Sequence, residues 1–523
     1  MKRDFSLLQN QQFDLLICGG GIYGAWSAYD AALRGLKVAI VEQGDWASAT
    51  SSASSKLIHG GLRYLESYDF KLVKKALAER QMLLQAAPHR VWPLRFGVPV
   101  YAESRIGRLQ LKLGLMLYDF LAASPLKKMA HRYFSRQKFS AHFPLLDTVG
   151  LKGGFTYSDA QTDDARFVLE LIAGAMEAGA VCVNYCKLLA VNEAGGRATG
   201  GTVKDVVNGQ NTVVSAKQIV YTTGQWLSVE KESEKWCRVT RGVHLVMPSA
   251  FLEEALLLTA RVDGRVFFII PWYGCTVLGT TDTDFKGDIY AVVPEDSDVS
   301  YLLDAANHYL KTAWKKFDVI NSYAGLRVMK RSDKASPSAV SRDWELKTGL
   351  NGVHYSIGGK ITSAREDAAC IVDQICAQLG ITTSCASRDR MFPWAPAQEF
   401  SVWCVAIEKQ ASKYKVDEES IKWLIRRHGK RTVEVLNSIE QDPALAARIS
   451  PAVPLIYADL LFCVKHEMVV HLEDLLRRRL PLLILAKLSE AELGKLARKV
   501  SGILCWDEAT IQTEVATCLK YAT

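Results

Sequence analysis

Between Phe13 and Glu42 the chain sets an apolar run against a cluster of glycines, and this pairing constrains the fold more than any other feature. Phe13–Cys18 leads directly into Gly19-Gly20-Gly21-Ile22-Tyr23-Gly24. The pattern predicts a strand over 13–18, a turn over 19–24, a helix over 22–34 closed by Gly35, and a second strand over 37–42. Gly19, Gly21 and Gly24 satisfy GxGxxG. The first glycine permits a tight turn, the second lets backbone approach a pyrophosphate, and the third allows close helix–strand packing. Glu42 lies 18 residues after Gly24, at a strand end where a carboxylate can accept ribose hydroxyls. A βαβ unit binding a dinucleotide follows; these residues leave NAD or FAD open.

At 523 residues the chain exceeds one compact core, so two to four domains are expected. Its net charge of +8 is small for that length and points away from nucleic acid; a basic face for an anionic substrate or lipid suffices. Twelve cysteines occur without a CxxC pair. That disfavours a zinc site or disulfide framework, no metal is predicted, and the thiols fit a reducing cytoplasm. No apolar run reaches the roughly 18–20 residues of a spanning helix.

Residues 70–86 and 165–179 read as helices, and 181–185, 200–222, 242–248, 265–270 and 275–280 as β-rich pieces, with Asp263-Gly264 marking a hairpin. From about 400 the pattern turns helical. The expected class is α/β: a Rossmann-like dinucleotide domain (about 1–100, 150–240 and 325–395), a β-rich substrate domain (about 241–324) and an all-helical C-terminal domain (396–523).

Thr50-Ser51-Ser52-Ala53-Ser54-Ser55 precedes His59-Gly60-Gly61-Leu62-Arg63-Tyr64. Such hydroxyls make poor core and good partners for a pyrophosphate and a flavin's polar edge, although a solvated loop has the same composition. Gly358-Gly359-Lys360 would let backbone reach the pyrimidine end of a flavin, with a cation beside it, or form an ordinary strand-end turn.

The run ATSSASSKLIHGGLRYLE closely resembles the segment after the ribose acid in FAD-dependent respiratory (aerobic) glycerol-3-phosphate dehydrogenases, within the D-amino-acid-oxidase-like superfamily. Further blocks follow in that family's order: Thr223-Gly224-Gln225-Trp226, Arg241-Gly242-Val243-His244, Gly279-Thr280-Thr281-Asp282, Gly325-Leu326-Arg327, Ser341-Arg342-Asp343 and Gly358-Gly359-Lys360-Ile361-Thr362. The resemblance spans about 13–366 and continues more weakly into the helical region.

It implies non-covalent FAD held by Gly19, Gly20, Gly21, Gly24, Glu42, Thr50, Ser51, Ser54, Ser55, His59, Gly224, Gly358, Gly359, Lys360 and Thr362. It further implies oxidation of sn-glycerol 3-phosphate to dihydroxyacetone phosphate by hydride transfer to FAD, with a quinone as acceptor. Arg63, Tyr64, Arg327 and Arg342 would form the substrate pocket, the arginines matching a phosphate with their planar forks. His244, Lys360 and Arg327 would be catalytic, His244 as the base, with Lys360 either a cation steadying the alkoxide or the base itself. Tyr23 and Trp26 depart from the family pattern in the first turn and helix. A superfamily oxidase using oxygen, on glycerol phosphate or an amino acid, and a flavin-binding protein without turnover are the rival readings.

Residues 104–140 interleave Leu109, Leu111, Leu113, Leu115, Met116, Leu117, Phe120 and Leu121 with Arg105, Arg108 and Lys112. A helix of this kind can lie on an anionic leaflet. A packed helix with a solvated basic edge has the same pattern; the family resemblance implies the membrane reading, a cytoplasmic protein peripheral on the inner face of the cytoplasmic membrane, with a homodimer as one open possibility for its assembly.

Overall fold

The computed structural model describes residues 1–66, 68–122, 129–331 and 343–521. Two sheets organise it. In the first, Gln12–Cys18 pairs in parallel with Val38–Val41 on one side and with Asn211–Tyr221 on the other. Val181–Val183 and His354–Ile357 extend the parallel core outward, and antiparallel strands Cys186–Ala194, Arg197–Asp205 and Glu345–Thr348 border it. The strand order reverses at Gln12–Cys18, so a crevice opens at the carboxyl ends of the central strands, where open α/β sheets bind ligands.

Ile22–Leu33 forms the helix predicted after the glycine turn. It packs against helices Asp164–Glu177 and Ala364–Leu379. Trp26 is 1% exposed and meets Phe392 and Phe167 edge-on, at 5.4 and 6.0 Å between centroids. An aromatic cluster thus absorbs its bulk.

The second, larger sheet runs Thr283–Asp284, Cys237–Met247, Cys275–Gly279, Val266–Trp272, Ala255–Thr259, Val91–Tyr101, Leu151–Thr162, Leu57–Ile58. Asn321–Lys330 lies on Cys237–Met247 and Arg132–Ser135 on Leu151–Thr162. Val91–Tyr101 and Leu151–Thr162 therefore join the β-rich sheet, although their positions in the chain suggest the dinucleotide domain. Their mutual antiparallel pairing joins segments far apart in sequence.

The C-terminal region is helical from Phe400–Ser412 to Glu508–Leu519, apart from a small hairpin of Arg448–Ser450 and Val453–Ile456. Its apolar residues share one core with the larger sheet, Trp92 and Tyr273 packing with Trp423, Leu475 and Leu483. Among the described residues no helix is long and apolar enough to cross a membrane.

Candidate active site

One cavity of about 490 Å³, a size typical of ligand sites, runs from the glycine turn to the larger sheet. At its dinucleotide end, Gly19, Gly21 and Glu42 line the wall. Gly20 and Gly24 lie behind it. The Glu42 carboxylate accepts the backbone N–H of Gly20 at 2.6 Å and of Gly44 at 2.9 Å, which leaves each oxygen a further lone pair for a ribose hydroxyl. Burial raises the pKa of this carboxyl, opposed by those two N–H bonds. A Cβ on Gly24 would overlap the Gly19 carbonyl, so this glycine serves packing.

The hydroxyl-rich segment divides in two. Ser51 Oγ accepts the Ile22 N–H at 2.9 Å at the opening of the helix, with its own proton left for an anion. Thr50 donates to the Leu326 carbonyl at 2.6 Å and Ser54 to Asp164 at 2.7 Å, so both hydroxyl protons serve the protein. His59 and Gly224 line the cavity; Thr362 stands behind and accepts the His59 N–H at 3.1 Å.

At the other end Gly358, Gly359, Lys360, Arg63 and Tyr64 meet His244 and Arg327. The Lys360 ammonium lies 3.9 Å from the centre of the Tyr64 ring, and the Arg63 guanidinium 5.2 Å from it. Arg342 lies outside the described residues.

Strand pairing explains why His244 and Arg327 converge. Thr240 pairs with Arg327, Gly242 with Gly325 and His244 with Tyr323. Residues 240, 242 and 244 share one face, since side chains alternate along a strand. Arg327 folds over Gly242, where any Cβ would overlap its guanidinium. Its fork is held by Thr280 Oγ1 at 2.9 Å, the Thr281 carbonyl at 3.1 Å and Asp282 at 3.3 Å.

The His244 ring stacks on Tyr323, 4.8 Å between centroids and 12° between planes. Its Nε2 bonds Ser55 Oγ at 2.8 Å, while its buried Nδ1 has no protein partner among the described residues. Burial first, then Arg327 and Lys56, lower its pKa well below the ordinary histidine value. The ring is therefore neutral near pH 7 and has a lone pair to offer.

Sequence patterns do not single out Lys56, Tyr323 or Arg265. Lys56 is 2% exposed, pairs with Asp164 at 2.6 Å, and lies 4.9 and 5.2 Å from the ring centres of Trp272 and Tyr323. A cation between hydroxyls and the apolar Leu57-Ile58 is the one local hint. Arg265 lines the cavity and donates to the Asp282 carbonyl at 2.6 Å. Among the described residues one group has metal-ligand spacing, His428, Asp459 and Cys463. It lies away from this cavity, and the Arg427 guanidinium already pairs with Asp459.

A glycine cradle, a buried acid at the strand end and a cationic far wall fit an extended anionic dinucleotide whose ring reaches the larger sheet.

Comparisons with known proteins agree with that fit. Residues 14–365 match the FAD dependent oxidoreductase family, and 397–511 the C-terminal domain of alpha-glycerophosphate oxidase. The chain is 34% identical to a glycerol-3-phosphate dehydrogenase of Synechocystis sp., covering 91% of this chain and 90% of the relative. It is 31% identical to the aerobic glycerol-3-phosphate dehydrogenase of Staphylococcus saprophyticus, over 96% and 90%. The structure of the glycerol-3-phosphate dehydrogenase from Bacillus halodurans complexed with FAD superposes with a TM-score of 0.81 at 27% identity, covering 99% of this chain and 96% of that one. Matched by that family model over most of its length, the chain belongs to the FAD-dependent oxidoreductases, an enzyme family whose cofactor is FAD.

Proposed function

We propose that the enzyme oxidises sn-glycerol 3-phosphate to dihydroxyacetone phosphate and passes the electrons to a quinone. Arg327 and His244 carry this reading. They stand on one face of adjoining strands with Gly242 between, and two residues along a strand span roughly 7 Å. A short phosphorylated alcohol can reach both.

FAD supplies the hydride acceptor; the chain supplies the rest. Arg327, pre-set by Thr280, Thr281 and Asp282, takes the phosphate through parallel charge-assisted bonds, with Arg63 as a second cation. His244, its ring neutral near pH 7, takes the hydroxyl proton. Lys360 steadies the developing negative charge on the alcohol oxygen. Glu42 holds the ribose, and Gly19 and Gly21 with Ser51 hold the pyrophosphate.

Helix Arg108–Ala122 supports delivery of electrons at a lipid surface. Leu109 and Phe120 are 72% and 79% exposed, with Leu113, Met116 and Leu117 also in solvent, while Leu115 and Tyr118 face the core. Arg105, Arg108 and Lys112 accompany this face, an arrangement suited to an anionic leaflet.

Anaerobic mixing of purified holoenzyme with glycerol 3-phosphate should abolish the visible absorbance of the oxidised flavin, and a quinone analogue should restore it. A flavin untouched by glycerol 3-phosphate but reduced by an amine or an unphosphorylated alcohol would overturn the substrate. Stoichiometric peroxide under air, with no turnover on quinone, would move the acceptor to oxygen.

A further inference from the structure

Tyr23 occupies the position before the last glycine of GxGxxG, inside the helix that opens at Ile22. From there it reaches the other end of the cavity. The Lys360 N–H donates to its hydroxyl oxygen at 3.0 Å, joining residues 337 apart in sequence, and the hydroxyl donates to Asp367 Oδ2 at 2.7 Å.

The directions of these bonds are fixed by chemistry. Asp367 is 1% exposed and is also held by Lys75 at 2.7 Å and Ser363 at 3.0 Å. A carboxylate in that setting is an acceptor only, so the phenol must donate to it, and its lone pair is what remains for Lys360. Burial first, then Asp367, hold the phenol pKa well above its ordinary value, and its proton stays in place. Gly359 completes the fit, because any Cβ there would overlap the Tyr23 hydroxyl. Lys360 then extends to the Tyr64 ring.

We propose that Tyr23 is a positioning residue for Lys360, its hydroxyl tying the pyrophosphate turn to the turn that presents the ammonium to flavin and substrate. This rests on the role given to Lys360 above. Occupancy of the pyrophosphate turn and the placement of that ammonium become one mechanical unit.

The test uses full-length holoenzyme with Tyr23→Phe, Lys360→Met and the double variant. Three quantities are measured: FAD per chain, the midpoint potential of bound FAD, and steady-state turnover. Tyr23→Phe keeps the ring and should keep full FAD content. It should lower kcat about fivefold, the scale of one hydrogen bond, with KM less affected, and lower the two-electron potential by about 20 mV, which is fivefold in the equilibrium. In the Lys360→Met background the same change should move neither quantity by more than about twofold, because the group it positions is gone.

Equal effects of Tyr23→Phe with and without Lys360 would overturn the proposal, as would a kcat loss explained by lost FAD, or an unchanged potential. The potential needs no substrate. If glycerol 3-phosphate fails to reduce the wild-type flavin, the functional reading falls while the coupling of Tyr23 to Lys360 is still measured.

Discussion

Arg479 donates through Nη2 to Asp45 at 2.9 Å, so the C-terminal region grips the loop that begins at the ribose acid Glu42. Arg478 Nε adds a bond to the same carboxylate at 2.5 Å, and the neighbouring Trp46 donates to the Met468 sulfur at 3.3 Å. Burial opposes the Asp45 charge, and Arg479 and Arg478 outweigh it, leaving its pKa lowered. Removing one member of such a group strands buried charges, at a cost of about 3–5 kcal/mol. Asp45→Ala should therefore lower both the melting temperature and the FAD content of purified protein. Full FAD content at an unchanged melting temperature would contradict the clamp.

Gly242→Ala should damage the substrate pocket selectively. The new methyl takes the space of the Arg327 guanidinium, far from the glycine turn. We expect KM for glycerol 3-phosphate to rise about tenfold, a change of roughly 1.4 kcal/mol, with FAD content unchanged. Arg327→Ala should raise it further, about 10–100-fold, as loss of a charged hydrogen-bond partner implies. Steady-state kinetics on flavin-replete protein decide both.

His244→Asn should reduce kcat by about 10²–10⁴, the usual contribution of a general base, and leave FAD bound. Because its pKa is lowered well below 6.5, the imidazole is already deprotonated at and above pH 6.5. The acid limb of the wild-type kcat/KM profile should thus fall below pH 6.5. A limb centred above 7 would assign the base elsewhere.

Buried histidines also set the response of stability to acid. His89 and His354 are lowered by burial, and His428 is lowered to about 4 by burial, against the pull of Asp459. Unfolded histidine titrates near 6.5, so between there and about 4 the unfolded chain binds more protons, and stability falls as pH falls. The melting temperature should drop across that window. His428→Gln, which can still donate to Asp459, should show a shallower drop; an identical slope would remove His428 as a source.

Leu113→Glu with Phe120→Glu should abolish binding to vesicles rich in anionic lipid without altering FAD content. Both side chains are exposed on helix Arg108–Ala122, so their loss leaves the core intact. Undiminished vesicle binding would place the contact surface elsewhere.

What could be read from the sequence is what is local. Gly19–Gly24, Ile22–Leu33 and the strand to Val41 form one continuous unit whose glycine spacing and apolar periodicity announce it. His244 and Arg327 could be picked out only through motif context, but strand register brings them together. The bond from Ser55 to His244 spans 189 residues, and Lys56 reaches Asp164 across 108. No periodicity encodes such pairs. The same holds for Val91–Tyr101, whose sheet is decided by a partner beyond Gly150. Tyr23 looked like a departure from pattern; its use is visible only once residue 360 arrives beside it.

The Asp45 clamp also has a consequence in time. Its carboxylate waits for a guanidinium 434 residues later, and at synthesis rates of about 5–20 residues per second that wait is roughly 20–90 s. The loop after the ribose acid is thus clamped only once Arg478 and Arg479 have been made: a ribosome stalled before the C-terminal helices would carry a nascent protein with its nucleotide turn written and that loop unclamped.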